Sequence, residues 1–376
     1  MENIYLYIHL PYCYRKCPYC SFISYDNKLS SKNAYIEALK KEIKDFADNY
    51  RYRVKTIYFG GGTPSLLNYK YIDEILDIIY KNFYVDKNIE ITLESNPVDL
   101  SEKYLMNIKN IGINRLSIGI QSFLDKKLSI LGRLHNAEQS HSCIQSAINA
   151  GFDNISIDLM YGVNETLGDA EYEISSAASF DIKHISAYIL SIEKNTKFYE
   201  WVASKKIDSL SDEIVSQMYI KISEMLTQNR FRQYEISNFA KDGKISNHNM
   251  AYWLGYDYRG FGVSASSFIE NRRFRNTNSI DKYIKSINSN KHPVEYSEYL
   301  EQKPRMRESF VLLLRTSNGV NINSFNDKYR IDIEKYYSNE LKSAFKNNLM
   351  HKKDGRIFLN GPKSMVISNY ILSDFI

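Results

Sequence analysis

Six times between Ile4 and Leu190 the chain passes from a short apolar run to a longer amphipathic stretch, and no other feature limits its fold as strongly. The apolar runs are Ile4–His9, Lys55–Phe59, Ile89–Leu93, Arg115–Ile120, Asn154–Leu159 and His184–Leu190. Between them, helices are predicted at Lys32–Asp48, Tyr69–Tyr80, Glu102–Ile111, Ala137–Ala150 and Leu167–Ala178. In the first of these, Ile36, Leu39, Ile43 and Phe46 recur at helical spacing. Such alternation predicts an α/β fold with a parallel sheet and right-handed crossovers. Six units are too few for an eight-fold barrel, so an open partial (β/α)6 barrel or a doubly wound sheet is expected. Ligands in these folds gather at the C-terminal ends of the strands. Every run here ends in a reactive or permissive feature: His9 and then Cys13, Gly60 to Pro64, Glu94, Gln121, Asp158 and Tyr188. One large site at that face is expected.

The composition is that of a globular protein, with 43% hydrophobic and 25% charged residues among 376. A net charge of +5 is small for this length and argues for no nucleic-acid or membrane partner. No run approaches the roughly 18 apolar residues of a membrane span. Met1–Pro11 lacks the basic start and cleavage site of a signal peptide and reads as a strand. The chain is therefore expected in the cytoplasm. After about residue 195 the pattern changes. A helix is predicted at Asp212–Asn229, aromatic and glycine-rich irregular structure with short strands at Phe231–Ser267, and a short helix at Lys282–Ser289. The last segment, Pro304–Ile376, predicts helices at Arg307–Arg315, Ile322–Lys328 and Ile333–Asn347, then a hairpin around Asp354–Gly361. That order is winged-helix-like. With no basic stripe it reads as a packing module rather than a DNA binder. The expected division is a core over 1–195, an extension over 196–300 and a small α+β domain over 301–376.

Three of the four cysteines, Cys13, Cys17 and Cys20, lie in a C-x3-C-x2-C loop. A secreted disulfide framework would be more spread out, so a metal in a reducing compartment is the better reading. Three thiolates on one loop suit three irons of a [4Fe–4S] cluster and leave the fourth iron open. Arg15 and Lys16 would favour the thiolates. A structural zinc ion would need a fourth ligand in closed geometry. Cys143 falls in a predicted helix as a core residue, which leaves His9 as the only nearby candidate.

The cysteine loop at the end of a first strand, followed by Gly60-Gly61-Gly62-Thr63-Pro64 after the second, resembles the radical S-adenosylmethionine (SAM) superfamily. Tyr7-Ile8-His9-Leu10-Pro11-Tyr12-Cys13 further resembles the branch of the oxygen-independent coproporphyrinogen III oxidases (HemN) and the related haem chaperones (HemW). The resemblance covers nearly the whole chain. It implies that Cys13, Cys17 and Cys20 hold the cluster and that SAM chelates its open iron. Tyr7 and Tyr19 would flank the cluster. Gly61, Gly62 and Thr63 would admit the methionyl amino group. Glu94, Gln121, Arg133 and Asp158 match SAM contacts, Arg133 as partner of the carboxylate, and Tyr188 matches an adenine contact more loosely.

Within this branch three features separate chaperone from oxidase. The oxidases resemble C-x3-C-x2-C-x-C, and Phe22 stands here at the fourth cysteine; they also carry an N-terminal extension ahead of the cluster loop. His248-Asn249-Met250-Ala251-Tyr252-Trp253 fits the H-N-x-x-Y-W motif of the chaperones. The resemblance implies haem as a third cofactor, with His248 as its axial ligand and Asn249, Tyr252 and Trp253 around it. It also implies haem-accepting partners, respiratory ones among them, an electron donor for the cluster, and leaves a homodimer open. The alternative is the oxidase itself, which would use a SAM-derived radical to convert porphyrinogen propionates to vinyl groups.

Overall fold

The computed structural model describes all 376 residues. Six strands run in parallel and lie side by side in chain order: β1 (Glu2–Leu10), β2 (Tyr52–Gly61), β3 (Tyr84–Ser95), β4 (Arg115–Gln121), β5 (Ile155–Tyr161) and β6 (His184–Ile189). After β6 come β7 (Arg232–Gln233) and β8 (Asn238–Ala240); β8 pairs antiparallel with β6, and β7 lies antiparallel on the far side of β8. Beyond β1 the sheet continues through β9 (Tyr258–Phe261), which is parallel to β1, and then antiparallel β10 (Ser266–Ile269), β11 (Arg272–Asn276) and β12 (Val294–Tyr299). The twelve strands form one sheet that does not close. The open (β/α)6 barrel is thus borne out. A doubly wound sheet would reverse the order of its crossover strands part-way, and β1 to β6 run in one direction without reversal.

Residue alternation explains the shape. On β4, Leu116, Ile118 and Ile120 are fully buried against the outer helices. Arg115, Ser117, Gly119 and Gln121, at the intervening positions, line the interior. Asp158 and Met160 on β5, and Ser186 and Tyr188 on β6, do the same. The barrel therefore encloses a polar lumen rather than a packed core.

The five crossover helices lie within two residues of their expected bounds, at Lys32–Asn49, Tyr69–Asn82, Glu102–Asn110, Ala137–Asn149 and Leu167–Ala178. Three further helices, Asp125–Ile130, Lys197–Ala203 and Asn247–Trp253, carry no helical apolar period long enough to read. The last of these corrects the expectation of irregular structure around residue 250. The helix expected at Ile333–Asn347 is broken into Ile333–Tyr336 and Ser338–Lys346. Tyr337 leaves helical geometry between them, and its hydroxyl donates to the Phe375 carbonyl at 2.6 Å. Past the helix Gln302–Leu314, a small sheet of β13 (Val320–Asn321), β14 (Met350–Lys353) and β15 (Arg356–Leu359) carries the expected hairpin. Its turn residues Asp354 and Gly355 both have positive φ, as a tight two-residue hairpin requires.

Candidate functional site

A cavity of about 420 Å³ opens at the C-terminal ends of the strands and reaches down the lumen to Arg115. Cys13, Cys17 and Cys20 sit on its rim, each half-buried and each a free thiol. A hydrogen-bonded arc joins the first two. The Thr63 hydroxyl donates to Cys13 Sγ at 3.5 Å, and Asn96 Nδ2 donates to Thr63 Oγ1 at 3.0 Å. Arg133 then donates from Nη2 to Asn96 Oδ1 and from Nη1 to Cys17 Sγ, the latter at 3.5 Å. Arg15 ties the loop to the opposite wall by donating to the Gly132 carbonyl at 2.6 Å. No three His, Cys, Asp or Glu side chains converge as a single ion would require. A four-iron cluster asks for something else, thiolates set apart around a cube. His9 faces away from the loop sulfurs, with Nδ1 against the Tyr7 hydroxyl at 3.1 Å and Nε2 against the Ile23 carbonyl at 3.0 Å. Cys143 is buried in its helix, and burial pushes its thiol up to about 12.

The glycine turn is required twice over by the protein itself. A Cβ on Gly61, whose φ is +113°, would lie 2.6 Å from the His9 ring, and one on Gly62 would lie 2.6 Å from the Tyr12 carbonyl oxygen. Glu94 stands beside this turn. It accepts from the Tyr58 hydroxyl at 2.9 Å and from the Gly61 amide at 3.1 Å. Burial nonetheless raises its carboxyl from 4.5 to about 7. Asp158, across the lumen, accepts from the Ser117 hydroxyl at 3.2 Å, and burial raises it too. Gln121 ends β4 in the left-handed region, with φ +66°, where the β4–β5 register slips. Tyr19 and Tyr188 complete the wall on the side of β6.

Of the remaining expected residues, only Asn249 reaches the cavity. Tyr7 lies behind the wall, stacked on Tyr58 with ring centroids 6.0 Å apart. His248 is 1% exposed, and both of its ring nitrogens are engaged. Nδ1 lies 2.7 Å from Thr56 Oγ1 and Nε2 lies 2.7 Å from the Tyr252 hydroxyl. Its ring stacks on Tyr58 at 4.9 Å. Burial lowers its pKa to about 3, so the imidazole is neutral, but it offers no free nitrogen in this arrangement. Tyr252 is half-buried with its hydroxyl on His248, and Trp253 packs outside the lumen near Tyr234 and Met250.

Comparison with known proteins follows the same lines as this geometry. The Radical SAM superfamily model matches residues 7–173. The chain is 32% identical to the heme chaperone HemW of Bacillus subtilis over 98% of both chains. It is 33% identical to the heme chaperone HemW of Haemophilus influenzae over 94% of this chain and 95% of that one. The chain belongs to the HemW family. Among solved structures, the coproporphyrinogen III oxidase HemN of Escherichia coli superposes with a TM-score of 0.86, covering 100% of this chain and 90% of that one. At 21% identity that likeness establishes the shared fold. Family membership accounts for the cysteine rim and the glycine turn together. Phe22, which stands where the oxidases resemble a fourth cysteine, is 69% exposed at the cavity edge.

Among the wall residues with no role expected from the sequence are Asn96, Tyr58 and Arg115. Asn96 and Tyr58 were visible only as neighbours of motifs. Arg115 carried one signal, a charge at the head of an otherwise apolar run.

Proposed function

We propose that the protein is a haem chaperone that retains a radical SAM core, binding haem and passing it to haem-accepting proteins. The observation that carries this reading is the meeting, in one cavity, of the three-cysteine rim, the Gly61–Thr63 turn, Glu94 and Arg133, in a chain related over nearly its whole length to proteins named heme chaperones. In this reading Cys13, Cys17 and Cys20 hold a [4Fe–4S] cluster, and when bound, that cluster supplies an iron site for SAM and a route for one electron from a donor protein. The arc through Thr63, Asn96 and Arg133 directs hydrogen bonds at two of the sulfurs, Cys13 and Cys17. Glu94 receives the amino group of SAM beside the Gly61 amide. Gln121, Asp158 and Tyr188 serve its nucleoside half, Tyr19 encloses the site, and Tyr7 backs its wall through Tyr58. Residues 1–195 form the cofactor core, 196–300 its extension with the haem motif, and 301–376 the small terminal domain. No helix is long and apolar enough to cross a membrane. We place the protein in the cytoplasm, with a respiratory haem protein and a second copy of this chain among its partners.

His248 does not present a nitrogen to haem while it is held by Thr56 and Tyr252. Ligation by His248 therefore requires the start of the helix Asn247–Trp253 to leave its seat. The deciding experiment is an anaerobic haem titration of reconstituted wild type and His248→Ala, followed at the Soret band. Saturable, near-stoichiometric binding by wild type is expected, with loss in the variant. Equal binding by both proteins would remove His248 as ligand. No specific binding by wild type would overturn the chaperone reading.

A further inference from the structure

Arg115 is 2% exposed, yet it lines the cavity from the head of β4. It is the one deeply buried arginine of the lumen that nothing holds. Arg259 donates to Glu42 at 2.8 Å, and Arg305 donates to the Gly255 carbonyl at 2.6 Å. Arg133 donates to the Gly119 carbonyl at 2.8 Å as well as to Asn96. The Arg115 side chain makes no ion pair and no hydrogen bond; the Nε of Arg133 and of Arg259 is unpartnered too, but their terminal nitrogens are held. Its cross-strand neighbour on β3 is Thr92, fully buried, whose hydroxyl is also without a partner. Glu94 and Asp158 feel the charge of Arg115, but Glu94 is bound to Tyr58 and Gly61, and Asp158 to Ser117. The imidazoles on either side do not compensate it. His184 is held between Ser156 and Tyr234, and His248 between Thr56 and Tyr252.

A buried cation without a partner is costly, and proteins keep such groups where a ligand completes them. The guanidinium offers a planar fork suited to two oxygens at once. Two carboxylates further up the lumen would repel a doubly charged phosphate more than a singly charged group. We infer that Arg115 is a carboxylate receptor at the floor of the cavity. This is a second anion position, distinct from Arg133, whose Nη2 is already held by Asn96 and Gly119. Two ligands of the proposed function carry such a group: SAM through its amino-acid carboxylate, and haem through its propionates. The choice of these probes rests on that function; the receptor itself does not.

The test uses full-length, anaerobically reconstituted wild type, Arg115→Met and Arg115→Lys. Calorimetric titrations compare SAM with decarboxylated SAM, and haem with its dimethyl ester. In one of the two pairs, wild type should prefer the free carboxylate by about tenfold or more, close to 1.4 kcal/mol. Arg115→Met should abolish that preference without weakening binding of the carboxylate-free member, and Arg115→Lys should restore part of it. The pair that responds names the source of the carboxylate. A third arm needs neither ligand: sodium propionate, against sodium chloride at equal ionic strength, should raise the melting temperature of wild type more than that of Arg115→Met. Ligand-free Arg115→Met should melt no lower than wild type, since it removes an unpaired buried charge. Unchanged discrimination in both pairs together with an equal propionate response, or a ligand-free Arg115→Met that melts well below wild type, would overturn the inference. Failure of wild type to bind haem or SAM would count against the proposed function, and the propionate arm would still decide Arg115.

Discussion

Glu94 is held in its ionised form by two donors and pushed toward its neutral form by burial, and burial prevails, at about 7. Its folded value lies above its ordinary 4.5, so the folded state takes up a proton more readily between those values. The ligand-free protein should therefore be most favoured by this group below pH 4.5 and lose that contribution as pH rises through 7. Glu94→Gln should flatten the change in melting temperature between pH 5 and pH 8, and an unaltered pH profile would refute the assignment. SAM binding runs the other way, because its amino group needs the carboxylate. Wild-type affinity for SAM should rise by up to about tenfold from pH 6 to pH 8, following the ionised fraction. Calorimetry at the two pH values checks this, and Glu94→Gln should lose most of the slope. The cysteines and the glycine turn were legible in the sequence because their chemistry fixes both residue type and spacing. Asn96 and Arg115 were not, because what matters about them is which neighbours they have or lack across strands, and one strand read alone does not contain that.

Two short elements act as clamps, and both escaped the apolar period because buried polar groups hold them. The helix Asp125–Ile130 is anchored by Lys127, which pairs with Glu173 at 2.8 Å and also with Glu165, all three side chains being buried. Glu173 also accepts from the Phe123 amide at 3.1 Å, and Glu165 accepts from Gly162. One ion triad thus fixes the loops after β4 and β5, the first of which follows Gln121 and leads to Arg133. Removing the cation leaves two buried carboxylates facing each other, so Lys127→Ala should lose about 3–5 kcal/mol of stability. Denaturant unfolding measures it, and a loss below about 1 kcal/mol would show the triad to be dispensable. The helix Asn247–Trp253 is seated differently. Glu90 accepts from the Asn247 and His248 amides, both at 3.1 Å, while Thr56 and Tyr252 hold the His248 ring. If haem takes His248, Thr56→Val and Tyr252→Phe each remove one competing bond of about 1 kcal/mol and should raise haem affinity about fivefold. Soret titration decides. No rise in either variant, with His248→Ala still losing the band, would show that the ring reaches iron without leaving its seat.

At the scale of the whole molecule, the order of β1 to β6 followed from the alternation of the sequence, because each parallel crossover places the next strand beside the last. The far side did not follow. β9 returns some two hundred residues after β2 to pair with β1, so long-range pairing, not local pattern, builds that half of the sheet. The same long-range packing bears on the terminal segment. Its aromatic centre, Phe310 with Phe375 at 5.4 Å and Tyr337 at 5.1 Å, belongs to one continuous hydrophobic cluster that also contains Ile4 and Leu6 of β1. The seam is closed by Arg305 on the Gly255 carbonyl, by the Arg305 guanidinium 4.4 Å over the Phe268 ring, and by the Ser317 amide on the Tyr234 carbonyl at 3.0 Å. Splitting the chain near Leu300 would expose apolar surface on both pieces. Residues 301–376 should therefore unfold together with the barrel, although they carry their own small sheet. Differential scanning calorimetry should give one transition, and SAM should move all of it upward, since a ligand of the barrel stabilises whatever unfolds with it. Two resolved transitions, with only the larger responding to SAM, would mean that the terminal segment folds by itself and that the shared cluster contributes little to holding it.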